Sequence, residues 1–217
     1  MITLKLVPTR TLAAVLLCGS LSAACASQQT TQTGYLGGAP LTPVGAKGSR
    51  ALTYSADDRG RAAYKAVLVE RPSFHPGHRT PREPKSADVA ALTAAYAEAL
   101  ERHFGRRYAL VEQPGPGVLR VRAAITGYDL ADVTANVLLT PLVGPMSNGG
   151  AASEAEVLDS LTGERMAALA THTNGSMWGG GPLKFFRARA HAERALDGHA
   201  RRLAAQVAAV DGLSSKR

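Results

Sequence analysis

The segment that ends at Cys25 constrains the fold most, because it takes both cysteines of the chain out of the folded domain. Two basic residues, Lys5 and Arg10, precede an uncharged run, 11–21, and small residues follow it up to the cysteine. This order is typical of a cleaved export signal. The apolar run is shorter than the roughly 20 residues that a membrane-spanning helix needs. We therefore expect residues 1–24 to be removed, which leaves no disulfide framework.

Small residues directly before Cys25 also favour cleavage by a lipoprotein signal peptidase. Cys25 would then begin the mature chain, with diacylglycerol on its thiol and a further acyl chain on its amine. Such chains hold a protein to a bilayer, at about 0.8 kcal/mol per buried methylene. Ser22 stands where the usual motif has Leu, so ordinary secretion, with Ser22–Ala24 or Ala24–Ala26 as the cleavage site, is the alternative.

The residue after the cysteine bears on the destination of the protein. It is Ala26, not the Asp that retains such proteins at the inner membrane. The sequence therefore predicts a lipid-anchored protein of the cell envelope, on the periplasmic face of the outer membrane.

The mature chain would be basic, with 23 Lys and Arg against 17 Asp and Glu once Lys5 and Arg10 are removed. A basic surface can bind anionic lipid, lipopolysaccharide phosphate, peptidoglycan carboxylates or nucleic acid. Export argues against nucleic acid, and the chain has no zinc-finger spacing and no aromatic RNA-binding motif. The alternative is that arginine serves here only as a solubilising residue.

Composition divides the rest of the chain into three parts. Residues 25–46 are rich in Gln, Thr, Gly and Ser without helical or strand periodicity, which predicts a flexible tether. Residues 47–211 have the length of one domain, and 212–217 are expected to be a disordered tail.

Within the domain, periodicity predicts five strands and two long helices. A helix should run from an N-cap at Ser86 to Gly105, with apolar residues from Val89 to Phe104 along one face. A second should run from about Leu183 to Val210, with His199 on its inner face. Strands are predicted at 64–70, 107–112, 118–128, 153–159 and 165–171, the last two forming a hairpin across Gly163. In the strand at 118–128, alternation predicts a buried face, formed by Leu119, Val121, Ala123 and Ile125, and a face towards solvent, formed by Arg120, Arg122 and Ala124. We expect an α+β fold: a two-layer domain with a mostly antiparallel sheet of about five strands covered by two main helices.

Five stretches resemble a family of bacterial lipoproteins catalogued as domain of unknown function 3313. They are Gly34–Gly37, Leu52–Tyr54, Tyr64–Val69, Tyr108–Arg122 and Glu154–Glu164. The resemblance extends from Tyr35 to about Gly175, and the Pro- and His-rich segment 71–85 departs from it. It implies an envelope lipoprotein and gives no residue a catalytic role.

Three sets of side chains are candidates for chemistry. His75 and His78 flank a Pro-Gly turn but lack a nearby third ligand, so no metal site is predicted. Glu154 and Glu156 share one face of a strand, as paired acid and base carboxylates would, although a solvent-facing pattern is the preferred interpretation. His199 is expected to be a partly buried histidine bonded to backbone.

The sequence favours a non-catalytic protein. It contains no Gly-x-Ser-x-Gly elbow and no Ser-x-x-Lys, and Gly179–Gly181 lacks the Lys and Ser or Thr of a phosphate loop. No cofactor is expected.

Two surfaces are candidates for binding instead. The first is the apolar stretch 132–150, interrupted by proline and glycine, which is either buried or exposed to a partner or bilayer. Its contact residues would be Val137, Leu138, Leu139, Leu142, Val143 and Met146, extended by Trp178. The second is the outer face of the last helix, where a polyanion would contact Arg187, Arg194 and Arg201.

These inferences lead to one functional hypothesis, a lipid-anchored binding module. It would reach the membrane through the lipid on Cys25 and would bind an envelope protein or an anionic envelope polymer. The alternative is a soluble periplasmic ligand-binding domain or hydrolase.

Overall fold

The computed structural model describes residues 32–44, 51–56, 64–77, 84–130, 150–174 and 189–210. Two helices lie in these ranges, α1 (Ser86–Phe104) and α2 (Ala190–Val210). Neither is long and apolar enough to cross a membrane. The strands are β1 (Thr42–Val44), β2 (Ala51–Ser55), β3 (Ala66–Val69), β4 (Ser73–Phe74), β5 (Ala109–Leu110), β6 (Val118–Asp129), β7 (Gly150–Asp159) and β8 (Arg165–Asn174).

Helix α1 forms where its periodicity predicts and ends before Gly105, the expected C-cap. Ser86 is the first helical residue rather than the N-cap; Lys85 occupies the N-cap without a side-chain hydrogen bond. Asp88 in the first turn is favourable to the helix dipole, as are the basic side chains of the last turn.

The sheet is larger than predicted, and it is mixed. Its order is β1-β2-β8-β7-β6-β3-β5, with β4 also paired to β6. The α+β class is confirmed, but the expectation of about five mostly antiparallel strands is wrong. Strand β3 lies parallel to both β5 and β6, and β4 lies parallel to β6. The reason is that α1 carries the chain back across the sheet before β5 and β6, and such a crossover joins parallel strands.

The hairpin of β7 and β8 forms as predicted, with Gly163 at φ +72° in its turn. The Asp159 carboxylate accepts hydrogen bonds from the backbone N–H groups of Leu161 and Thr162, at 2.9 and 2.8 Å. The pKa of Asp159 is lowered, mainly by the hydrogen bond from the backbone of Thr162, while partial burial acts in the opposite direction. The turn is therefore stabilised by the side chain that begins it.

The main core lies between the sheet and the two helices. Strand β6 contributes the face predicted from its alternation, and all four side chains are buried: Leu119, Val121, Ala123 and Ile125. The inner faces of α1 and α2 complete this core, and Leu92, Tyr96, Phe104, Leu196 and Leu203 are among their fully buried residues.

Ion pairs join both ends of α1 to the first half of α2 and the residue before it. Asp197 of α2 accepts from Arg102, at 2.7 Å, and lies 2.8 Å from His103. Arg189, just before α2, pairs with Asp88 in the first turn of α1, at 3.1 Å. The partner of Asp88 precedes the partner of Arg102 and His103 along the chain, so α1 and α2 run in the same direction along one side of the sheet.

Candidate functional site

The side of the sheet away from the helices, hereafter the open face, is not the solvent face that the sequence predicted. Glu154 is 1% exposed and Glu156 is 2% exposed. Ala124, which was also expected to point to solvent, is buried. The expectation was wrong because another part of the chain covers these positions.

The cover is the segment 32–41, hereafter the strap. The backbone N–H of Thr33 donates to Glu154 Oε1 at 2.6 Å, and Arg165 Nη2 donates to the carbonyl of Leu36 at 2.9 Å. The side chain of Leu36 is buried against Ala168 and Ala170 of β8. Residues 32–41 of the predicted tether, 25–46, thus lie on the sheet, and 42–44 form its edge strand β1. Residues 25–31 and 45–46 fall outside the described residues.

The carboxylate of Glu156 lies between two arginines. Arg122 Nη1 donates to its Oε1 at 3.0 Å, and Arg165 Nε donates to its Oε2 at 2.9 Å. Glu70 extends the network, since it pairs with Arg120 and lies 3.7 Å from Arg122 Nε. A buried carboxylate needs such partners, because desolvation strongly disfavours an isolated charge.

The ring of Tyr35 joins the strap to this network. The Arg122 guanidinium lies 5.7 Å from the ring centroid, within the range of a cation–π contact. Burial raises the pKa of Tyr35; Arg122 opposes this effect, and the carboxylates of Glu156 and Glu70 add to it.

These contacts form a clamp. Glu154 holds the backbone at the start of the strap, and Leu36 is held by its own burial and by Arg165. Arg165 therefore links the strap to Glu156, and the two glutamates that might have formed an acid–base pair instead fasten the chain to its own sheet.

A second polar chain lies in the main core, behind β7. Ser153 Oγ lies 2.9 Å from His199 Nδ1, and Thr173 Oγ1 lies 2.9 Å from His199 Nε2. Tyr96 OH donates to Ser153 Oγ at 3.3 Å. The sequence predicted a histidine bonded to backbone, whereas both ring nitrogens are held by side-chain hydroxyls.

The contact between Ser153 and His199 has the spacing of a nucleophile and its base, but both are buried, at 1% and 3% exposed. Burial, which is the main cause, together with Arg202 and His172, lowers the pKa of His199 to about 3. A neutral imidazole can bond both to the buried hydroxyl of Ser153 and to the hydroxyl of Thr173, which is an exposed residue. This arrangement explains why a polar residue lies on the apolar face of α2.

The low pKa of His199 predicts acid sensitivity. Between pH 6.5 and pH 3 the unfolded chain binds a proton at this site and the folded chain does not, so the free energy of unfolding falls as the pH falls. The loss from this site should reach about 2 kcal/mol at pH 5. We expect His199→Gln to lack this part of the pH dependence in urea unfolding measured at pH 7 and pH 5. Equal pH dependence in both proteins would contradict the buried neutral imidazole.

The outer face of α2 carries the predicted arginines. Arg194 and Arg201 are exposed, and among the described residues neither forms an ion pair with a carboxylate. They are seven residues apart, which places them on one side of the helix. Arg187, Trp178 and the apolar residues Val137, Leu138, Leu139, Leu142, Val143 and Met146 fall outside the described residues, so their contacts remain predictions.

The histidine pair of 75–78 is described only in part. His75 is exposed, and its ring lies 6.0 Å from the ring of Tyr35. His78 lies outside the described ranges. In the part of the chain that the structure describes, no three His, Cys, Asp or Glu side chains are grouped to hold a metal ion.

Comparison with known proteins identifies the family of this chain but gives it no activity. Residues 31–203 match the model of a family described as protein of unknown function, DUF3313. No functionally curated protein matches the chain.

The solved structures that are similar over most of this chain include the following two. The PelC dodecamer from Paraburkholderia phytofirmans has 12% identity and a TM-score of 0.38, over 74% of this chain and 96% of that one. The hypothetical protein CT253 from Chlamydia trachomatis has 14% identity and a TM-score of 0.34, over 68% of this chain and 97% of that one. Similarity at this level carries no argument about function.

Proposed function

The chain belongs to the DUF3313 family of proteins of unknown function, and from that premise we propose that it is a lipid-anchored, non-catalytic binding module of the cell envelope. Its anchor is Cys25, and its ligand is an anionic envelope polymer. The polymer contacts the outer face of α2 through Arg194 and Arg201.

Support for the anchor comes from the sequence. A basic start, a short apolar run and small residues lead directly to Cys25. The only other cysteine, Cys18, lies inside the segment that would be removed. The thiol at position 25 is therefore the single site for a lipid on the mature chain.

One structural observation supports the binding surface. Arg194 and Arg201 are exposed on one side of α2, and no carboxylate among the described residues neutralises them. By contrast, Arg102 of α1 and Arg189, just before α2, are paired with Asp197 and Asp88. Guanidinium groups without an internal partner are available to carboxylates or phosphates of a ligand.

The proposal predicts salt-sensitive binding that depends on these two side chains. Each basic residue near an anionic surface contributes about 1 kcal/mol, so Arg194→Ser with Arg201→Ser should weaken binding roughly 30-fold at low ionic strength. The measurement is co-sedimentation of the mature protein with purified peptidoglycan and with lipopolysaccharide, each over a series of salt concentrations. Affinity should fall as salt rises, because salt screens exposed charges.

A matched control is available on β3. Lys65 and Arg71 flank that strand and are both exposed, so Lys65→Ser with Arg71→Ser removes the same charge from another part of the surface. We expect this variant to bind nearly as well as the unchanged protein. If both double variants lose affinity equally, the net charge binds the polymer and the surface on α2 is not a specific site.

A further inference from the structure

We infer that the strap turns the arginine face of α2 away from the bilayer that holds Cys25, so that its ligand is a carboxylate-bearing wall polymer rather than the phosphates of that bilayer. This inference rests on the proposed lipid anchor. It follows from where the chain leaves the domain and from how far the remaining residues can reach.

The N-terminal end of the strap is fixed at the middle of the open face. Thr33 is hydrogen-bonded to Glu154, which lies near the middle of β7. Strand β7 is itself central, with β8, β2 and β1 on one side and β6, β3 and β5 on the other. The anchored end is therefore far from every edge of the sheet.

Helix α2 lies directly behind this point. It packs against β7 and β8, and His199 of α2 bonds to Ser153, the neighbour of Glu154 that points to the opposite face. The strap contacts β7 and β8 on the open face, through Glu154 and through Ala168 and Ala170. The same two strands thus separate the anchored strap from the arginine face.

The reach from Cys25 is short. Eight residues lead from Cys25 to Thr33, so their span cannot exceed about 29 Å in any conformation. To place the arginine face flat on the bilayer, this length would have to pass around the sheet to the far side of α2.

The path around the sheet to the far side of α2 is longer than the greatest possible span from Cys25 to Thr33. Three strand spacings to either edge amount to about 14 Å. The thickness from the strap to the outer side of a helix packed on the sheet adds roughly 20 Å. The path, about 34 Å, exceeds the span available. The open face therefore stays beside the anchoring bilayer, and Arg194 and Arg201 point into the periplasm.

The inference is tested by distance-dependent quenching in the lipidated full-length mature protein. A fluorophore is attached to Pro40→Cys, on the exposed side of the strap, or to Ala205→Cys, which is exposed on the arginine side of α2. Cys25 carries lipid, so each variant has one reactive thiol. The protein is placed in phosphatidylglycerol-containing nanodiscs with quencher-labelled lipid. We expect quenching at Pro40 to exceed quenching at Ala205 at least twofold.

A longer tether provides the control. Inserting 20 Gly and Ser residues after Ala26 leaves every described contact in place and removes the length limit, so the difference between the two labels should shrink. Equal quenching, or stronger quenching at Ala205, in the protein with its natural tether would overturn the orientation while leaving the anchor intact. A mature chain without lipid, and without association with the nanodisc, would overturn both the anchor and the orientation.

Discussion

Replacing Glu156 with Ala is expected to lower the free energy of unfolding by about 3 kcal/mol, the largest stability effect predicted for the open face. The carboxylate is buried and accepts hydrogen bonds from Arg122 and Arg165. Removing one partner of a buried ion pair leaves the opposite charge without compensation and typically costs about 3–5 kcal/mol of stability. Both arginines are partly exposed, so water compensates them in part and the lower end applies.

The same change should loosen the strap. Arg165 is oriented by Glu156 and donates to the carbonyl of Leu36. Without Glu156, two changes should become faster than global unfolding explains: hydrogen exchange at the bonded N–H groups of Thr33 and Gly37, and limited proteolysis within the strap. Urea unfolding gives the stability, and native-state hydrogen exchange gives the local effect.

Glu70 offers a matched control on the same face. It pairs with Arg120 and Arg122, but its side chain is about one-third exposed, so Glu70→Ala should cost no more than about 1 kcal/mol. A Glu156→Ala protein that is as stable as Glu70→Ala would show that the buried carboxylate does not fasten the strap.

The sequence was sufficient to predict the elements with a strong period. The alternation of Leu119, Val121, Ala123 and Ile125 identified the buried face of β6, and the spacing from Leu92 to Phe104 identified that of α1. Gly163 marked the hairpin turn, because its positive φ is one that other residues avoid. Each of these patterns lies within a single strand, helix or turn, so it could be recognised without knowing which distant segments pack against it.

The parallel pairing of β3 was not predictable from the same signals. A strand has the same alternation whichever way its neighbour runs, and the direction here follows from the crossover through α1. Strands β1, β2 and β4 were not predicted; β1 and β4 have only three and two residues, too few to show an alternation.

The clamp on the open face was missed for a related reason. An alternation of Glu with small or apolar residues is the usual pattern of a solvent face, and only the return of a distant segment buries Glu154 and Glu156. One signal was present: Arg120 and Arg122 alternate on the neighbouring strand and could have been paired with the glutamates. The contacts of Thr33 and Leu36 could not have been predicted from the sequence, since their partners are more than 120 residues away along the chain.

Replacing Cys25 with Ala is expected to have the largest functional effect, because it removes the whole anchor. Two or three acyl chains anchor a protein stably to a bilayer, whereas a chain without them is held only by weaker, reversible contacts. Nearly all of the protein should therefore move from the detergent phase to the aqueous phase. The fold should be unchanged, since the described contacts begin at Thr33.

A Cys18→Ala variant is the matched control. Cys18 lies within the segment that the signal peptidase would remove, so this substitution also deletes a thiol but leaves the mature chain unaltered. It should partition into detergent like the unchanged protein. Loss of detergent partitioning in both variants would indicate that export, rather than the anchor, had failed.

The most direct measurement is the intact mass of the mature protein, taken from the envelope fraction beside its Cys25→Ala counterpart. We expect a chain that begins at residue 25 and carries an added mass of lipid size, and the loss of that added mass in the variant. An unmodified chain in the aqueous phase, cut elsewhere in 22–26 or not at all, would contradict the lipid anchor and with it the orientation of the arginine face.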